Sequence, residues 1–298
     1  MVVGSVAYDG IQTPHGRVER TLGGSCTYAA VAASFFTQVG IVAVVGEDFA
    51  QEDAVWLASR GVDLEGLERV AGKTFYWSGV YSADMNERTT LCTDLNVFAD
   101  FQPQLPPAYR RAPYLLLGNI QPGLQRQVRA QMEGVRLVCG DTMNYWITHT
   151  REELLETLKE WDVLLINDSE ARQLAGRHNL REAARRILGL GPTVLVVKRG
   201  EYGAVLFHAR GYFVAPGYPL EQVFDPTGAG DCFAGGFLGY LAECGAESGL
   251  GELRRAMIYG SVMGSFCCER FGVDRFRKLT RAEIDGRFQE FKDFTEIR

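Results

Sequence analysis

The stretch Asp225-Pro226-Thr227-Gly228-Ala229-Gly230-Asp231 runs directly into an apolar helical pattern, Cys232–Glu243. Gly228, Ala229 and Gly230 are small enough for successive backbone N–H groups to point into one volume. The helix that follows adds its unpaired N–H groups and the positive end of its dipole, so the three residues form an anion hole. Asp231 falls in the first helical turn. A carboxylate beside an anion site suits the removal of a proton from a hydroxyl that attacks a phosphoryl group. Gly235, Gly236 and Gly239 each cost about 1 kcal/mol against alanine in a helix interior. Together they require another backbone or a ligand packed close to that helix.

Upstream of this stretch, short Val/Ile/Leu runs alternate with helical patterns. Strands are expected at Met1–Ala7, Ile41–Val45, Tyr114–Leu117, Val135–Cys139, Val163–Ile166, Val194–Lys198 and Ala204–Phe207. Helices are expected at Cys26–Phe36, Asp53–Arg60, Leu124–Glu133, Glu152–Lys159 and Leu180–Leu188, followed by Gly230–Glu243, Glu252–Cys268 and Ala282–Phe291. This alternation implies an α/β fold, a mostly parallel sheet covered by helices on both faces. Lys73–Tyr81 breaks the rhythm with period-two alternation, and a polar turn joins it to Thr89–Phe98. That reads as a β-hairpin with Phe75, Trp77 and Tyr81 on one face.

A chain of 298 residues, 46% hydrophobic and 23% charged, can bury one large core. Its net charge of −6, with no basic run, argues against nucleic acid and anionic membranes as partners. No apolar stretch is long enough to span a bilayer and no secretory signal opens the chain, so a cytoplasmic location is expected. Seven cysteines without a CxxC pair suit reduced thiols. Gly72-Lys73-Thr74 resembles the end of a phosphate-binding loop, but Leu67 occupies its required first glycine. Neither a dinucleotide G-x-G-x-x-G nor a hydrolase G-x-S-x-G is present.

DPTGAGD followed by CFAGGF closely resembles the C-terminal signature of the ribokinase-like (PfkB) carbohydrate and nucleoside kinases. Gly23-Gly24, Asn167-Asp168-Ser169-Glu170 and Lys198-Arg199-Gly200-Glu201-Tyr202-Gly203 fall in the family's order, so the resemblance covers nearly the whole chain. It implies a three-layer α/β/α domain over residues 1–298, with a small β-lid from about 10–22 and 73–98. The implied activity is ATP-dependent transfer of the γ-phosphoryl group to a hydroxyl of a sugar or sugar derivative. A nucleoside kinase of the same fold is the alternative, and a catalytically idle ligand-binding relative is the reading from another class.

On this resemblance Asp231 is the catalytic base and Gly228-Ala229-Gly230 the anion hole. Asn167 and Glu170 match the motif that organises Mg²⁺, largely through water, although Asn-Asp-Ser after a strand is also a plain helix cap. In that case Asp168 or Ser169 would cap while Asn167 and Glu170 face the metal. Asp225 and the Thr227 carbonyl match a potassium site, completed by the loop Glu269–Asp274. Lys198, Gly200, Gly203 and Thr227 match nucleotide contacts, and Glu252–Cys268 the helix behind the adenine. Asp9, Gly23 and Gly24 match acceptor contacts. Two departures stand out: Tyr28 replaces a common Asn, so ribose specificity does not carry over, and Asp141 and Asn144 form an acceptor motif one residue too long. An apolar-faced hairpin needs a cover, which its own site or the lid of a second subunit can supply, so a homodimer through the lids is expected.

Overall fold

Neighbouring residues of the apolar strands serve opposite cores, and this sets the architecture. The computed structural model describes residues 1–245 and 249–296. The strands are β1 (Val2–Val3), β2 (Ala7–Thr13), β3 (Gly16–Gly23), β4 (Val39–Val45), β5 (Val62–Arg69), β6 (Phe75–Tyr81), β7 (Arg88–Asp94), β8 (Tyr114–Leu117), β9 (Leu137–Asp141), β10 (Val163–Asn167), β11 (Val194–Lys198), β12 (Ala204–His208) and β13 (Gly211–Ala215). The helices are α1 (Ser25–Ala33), α2 (Gln51–Ser59), α3 (Pro122–Ala130), α4 (Asn144–His149), α5 (Arg151–Leu158), α6 (Asp168–Ala175), α7 (Leu180–Leu188), α8 (Ala229–Glu243), α9 (Leu250–Cys267) and α10 (Arg281–Thr295).

The large sheet has the order β13-β12-β11-β10-β9-β8-β1-β4-β5. From β11 to β5 all neighbours run parallel, while β12 is antiparallel to both β11 and β13. Val2, Ile41, Leu165 and Val196 join α1, α8 and α9 in one core. Val3, Val42, Leu164 and Val197 join α3, α5, α6 and α7 in the other. Period-two geometry sends successive side chains to opposite faces, so a parallel strand covered on both sides is apolar throughout. The glycines of α8 accommodate its neighbours: a Cβ on Gly235 would lie 2.1 Å from the Ala29 carbonyl of α1, and one on Gly236 2.6 Å from Met263 of α9.

A second, mixed sheet of order β3-β2-β6-β7 forms the lid. It corrects the expected first strand. Met1–Ala7 is not continuous: β1 stops at Val3, and Ala7 already pairs with Phe75 and Gly23. Gly4 lies so close to Ser25 and Cys26 that a Cβ would sit 2.7 Å from Ser25 Oγ. The chain crosses there from one sheet to the other. Asp9 consequently belongs to a lid strand rather than to the end of a central one. The hairpin is shorter than expected, since Asn96–Asp100 turns into a 3₁₀ helix. Strand β5 had no apolar run to mark it, and β13, despite Tyr212-Phe213-Val214-Ala215, was not expected; both are partly exposed. Helices α4 and α6 are short and mostly polar.

Phe75 stacks on Phe98 at 5.4 Å between ring centroids, and Phe98 on Phe101 at 5.5 Å, so part of the hairpin's apolar face is covered by its own chain. All seven cysteines are free. Among the described residues no helix is long and apolar enough to cross a membrane.

Candidate active site

The anion loop is held in shape by Asp225. Its Oδ1 accepts from Thr227 N at 2.8 Å and its Oδ2 from Gly272 N at 2.9 Å. Gly228 then adopts left-handed φ of 76° as the N-cap of α8. Only glycine takes this geometry without strain. Asp231 stands one turn into α8. Burial and the charge of Asp141 push its pKa up to about 7, with Lys198 and Arg88 acting in the opposite direction. A carboxylate with that pKa can take and release a proton near neutrality.

Asp9 is 4% exposed. The Tyr28 hydroxyl donates to Asp9 Oδ2 at 3.2 Å. A Cβ on Gly23 would fall 1.9 Å from the same oxygen, so only glycine leaves room for this carboxylate. Gly24 passes close to the backbone of Ser5, whose carbonyl a Cβ would meet at 2.4 Å. Burial, then the charge of Asp225, pushes Asp9 up to about 7. Tyr28 does more than replace an amide. It is fully buried, and its ring lies directly against Gly228, so one side chain joins Asp9 to the Gly228 loop.

Lys198 closes β11 and its Nζ donates to Asp141 Oδ2 at 2.9 Å. Burial lowers the lysine's pKa, but the Asp141 carboxylate outweighs it and the net shift is upward. Lys198 Nζ would be 3.1 Å from a Cβ on Gly230, which sets this cation beside the anion loop rather than at a solvated strand end. Asn167 is itself the N-cap of α6: its Oδ1 accepts from Glu170 N at 2.8 Å, and Glu170 Oε2 accepts from Asn167 N at 3.2 Å. This capping box corrects the expectation that Asp168 or Ser169 caps the helix. The Asn144 N–H also reaches the Glu170 carboxylate, whose pKa is raised by burial and by Asp141. The Asn144 backbone is thus tied to Glu170.

Gly200, with φ 55°, faces Asn86 of the lid tip. Gly203 packs against Ala215–Gly217, where a Cβ would meet a carbonyl at 2.1 Å. That contact alone explains its glycine. Asp225 is fully buried, and burial pushes its pKa up to about 6. The groups bearing on it are the Thr227 and Gly272 donors, with no cationic side chain among them. Cys267 Sγ donates to the Thr227 carbonyl at 3.2 Å.

The lid closes over this cleft. Tyr81 Oη lies 3.0 Å from Thr227 Oγ1, and Asn86 Nδ2 donates to Glu201 Oε1 at 3.3 Å. Sequence reasoning missed Arg88, at the start of β7, whose charge reaches both Asp231 and Tyr81. No local motif marks it. A polar turn followed by a charged residue reads as a solvated hairpin end.

These features define a phosphotransferase that uses a hydroxyl as acceptor. Residues 1–278 match the pfkB family of carbohydrate kinases, and the chain belongs to that family. Among curated proteins it is similar to the cytidine kinase of Thermococcus kodakarensis, at 30% identity over 82% of this chain and 91% of the relative. Among solved structures it resembles a Burkholderia thailandensis nucleoside kinase in complex with inosine, with a TM-score of 0.78, 23% identity and 97% of each chain covered. It also resembles a Vibrio cholerae fructokinase bound to fructose, ADP and potassium ion, with a TM-score of 0.79, 21% identity, and 96% and 97% of the two chains covered. Both structures bear on the fold.

Proposed function

We propose that this chain is an ATP-dependent kinase that phosphorylates the primary hydroxyl of a ribosyl acceptor of the nucleoside class. The observation that carries the reading is the placement of Asp231 beside the Gly228–Gly230 amides, with Asp9 linked to the same loop through Tyr28. Asp9, with Gly23 and Gly24, receives the acceptor's hydroxyls, and Tyr28 holds Asp9 in place. Trp77 pairs with Asp9 in the lid sheet, which sets an aromatic ring beside that carboxylate. The cytidine kinase relative supports the same acceptor class.

In the transfer, the acceptor oxygen forms a bond to the γ-phosphorus and its proton goes to Asp231. The bond from phosphorus to the bridging oxygen breaks, and its electron pair leaves on ADP. The Gly228, Ala229 and Gly230 amides face the charge that develops on the phosphoryl oxygens. Lys198, with Gly200 and Thr227, lies on the nucleotide side.

Among the described residues no three His, Cys, Asp or Glu side chains cluster to form an all-protein metal cage. That fits Mg²⁺, which keeps several waters. Asn167 and Glu170 retain lone pairs for metal-bound water beyond those spent on the capping box. Bound Mg²⁺ would neutralise charge on the phosphates. The buried Asp225 carboxylate and the Thr227 carbonyl suit a monovalent cation such as potassium. The lid sheet ends in an exposed edge, β7, with Leu91 65% exposed. This edge supports a homodimer joined through the lids.

The test is Asp231→Asn, assayed with ATP against cytidine, inosine, ribose and fructose. Turnover of the best acceptor should fall by roughly 10²–10⁴-fold with nucleotide affinity unchanged. Near-normal turnover in the mutant would overturn the assignment. Absence of turnover in the wild type would leave a ligand-binding relative, and a preference for free sugar would move the acceptor class.

A further inference from the structure

Arg88 begins β7 directly opposite Tyr81 of β6. Opposed residues of an antiparallel pair project from the same face. Tyr81 is fastened to the anion loop through Thr227 at 3.0 Å, so the strand end that carries Arg88 is fixed over that loop. The guanidinium carbon lies 5.5 Å from the centroid of the Trp77 ring. Arg88 is exposed and, among the described residues, forms no ion pair. Asp231 lies within reach of its charge without pairing with it. Asp141 is already matched by Lys198. A guanidinium stacked on an indole, free of carboxylate partners and held above an anion loop, is placed to receive a further anion.

We propose that Arg88 is a catalytic residue carried by the lid. Its guanidinium binds the phosphoryl group in transit from the side opposite the Gly228–Gly230 amides, and the Tyr81–Thr227 bond latches it there. The inference rests on the kinase reading above and adds to it a second source of positive charge. As the new phosphorus–oxygen bond forms and the bond to ADP breaks, charge accumulates on the phosphoryl oxygens. A planar fork of N–H donors meets two such oxygens at once and neither gains nor loses a proton in the step. Because the residue rides on the lid, the charge is complete only when the lid is shut. An open site, where water could act as acceptor, would lack it.

The experiment compares wild type with Arg88→Met, Arg88→Lys and Tyr81→Phe. It measures kcat, the KM for cytidine and ATP, ADP affinity, and the tightening of ADP binding by aluminium fluoride, a mimic of the phosphoryl in transit. Arg88→Met should lower kcat by about 10²–10³-fold, as losing a donor to transition-state charge does. KM for the neutral acceptor and affinity for ADP alone should stay close to wild type. The tightening by aluminium fluoride should disappear. Arg88→Lys should recover part of kcat, and Tyr81→Phe should lower it less than Arg88→Met. Wild-type kcat in Arg88→Met overturns the proposal. A raised acceptor KM with kcat intact also overturns it, and assigns Arg88 to a negative group on the acceptor. If the wild type binds ADP and turns over, these outcomes judge Arg88 alone. If it neither binds ADP nor phosphorylates any acceptor, the kinase reading falls and takes this proposal with it.

Discussion

Gly228→Ala separates the position of the anion loop from its composition. A Cβ there would lie 2.3 Å from Tyr28 Cγ and 2.4 and 2.5 Å from the two ring carbons beside it. Carbon contacts settle near 3.5–4.0 Å, so loop and ring must part by more than about 1 Å. Tyr28 is 1% exposed and bound to Asp9, which leaves the ring little freedom to withdraw. The loop moves instead. At φ 76° alanine adds roughly 1–2 kcal/mol of backbone strain. A displacement of about 1 Å at a reacting centre costs on the order of 10²-fold in rate. A continuous ADP-release assay should therefore show kcat about 10²-fold lower, with a melting temperature only a few degrees below wild type. Gly176→Ala is the control. It has φ 60° with nothing within 4 Å, so it carries the backbone strain without the collision. Its melting temperature should fall similarly while kcat stays. A folded Gly228→Ala enzyme with wild-type kcat would refute the reasoning.

Two further predictions concern charge and assembly. Asp225 is raised to about 6 from an ordinary 3.8, so the folded state holds its proton through a window where the unfolded chain has lost it. On this account stability falls as pH rises from about 4 to 6. Potassium, by matching the ionised carboxylate, should raise the melting temperature above pH 6 and cease to do so below about pH 5; a shift independent of pH would remove Asp225 from the cation site. Leu91→Lys on the exposed edge of the lid should lower the sedimentation coefficient from dimer to monomer at micromolar concentration, and a wild type that already sediments as a monomer would dispose of the lid dimer.

The anion loop was legible because its chemistry is local. Small residues, a helix start and a carboxylate occupy consecutive positions, and no distant contact is needed to recognise them. The parallel strands were legible for a related reason: burial on both faces makes Val163–Ile166 and Val194–Val197 continuously apolar. Where burial is one-sided the signal fades, and β5 passed unnoticed as a half-charged edge strand. Asn167 and Glu170 showed a limit of another kind. The same four residues can cap a helix or face a metal, and without the family resemblance the sequence favours the cap. In the structure the cap is seen directly.

What the sequence alone determined was the layering of the α/β fold and a glycine-rich turn that opens α8 with Asp231 in its first turn. The place of Asp9 was decided by tertiary structure. The break after Val3 carries Asp9 out of the central sheet and into the lid, through a close approach of Gly4 to α1 that no strand propensity encodes. Lys198 meets Asp141 across 57 residues, and Tyr81 meets Thr227 across 146. Such pairings depend on which strand ends lie side by side after several crossovers. Periodicity reports only whether a residue is buried, and the partner that buries it is chosen by the topology of the whole chain.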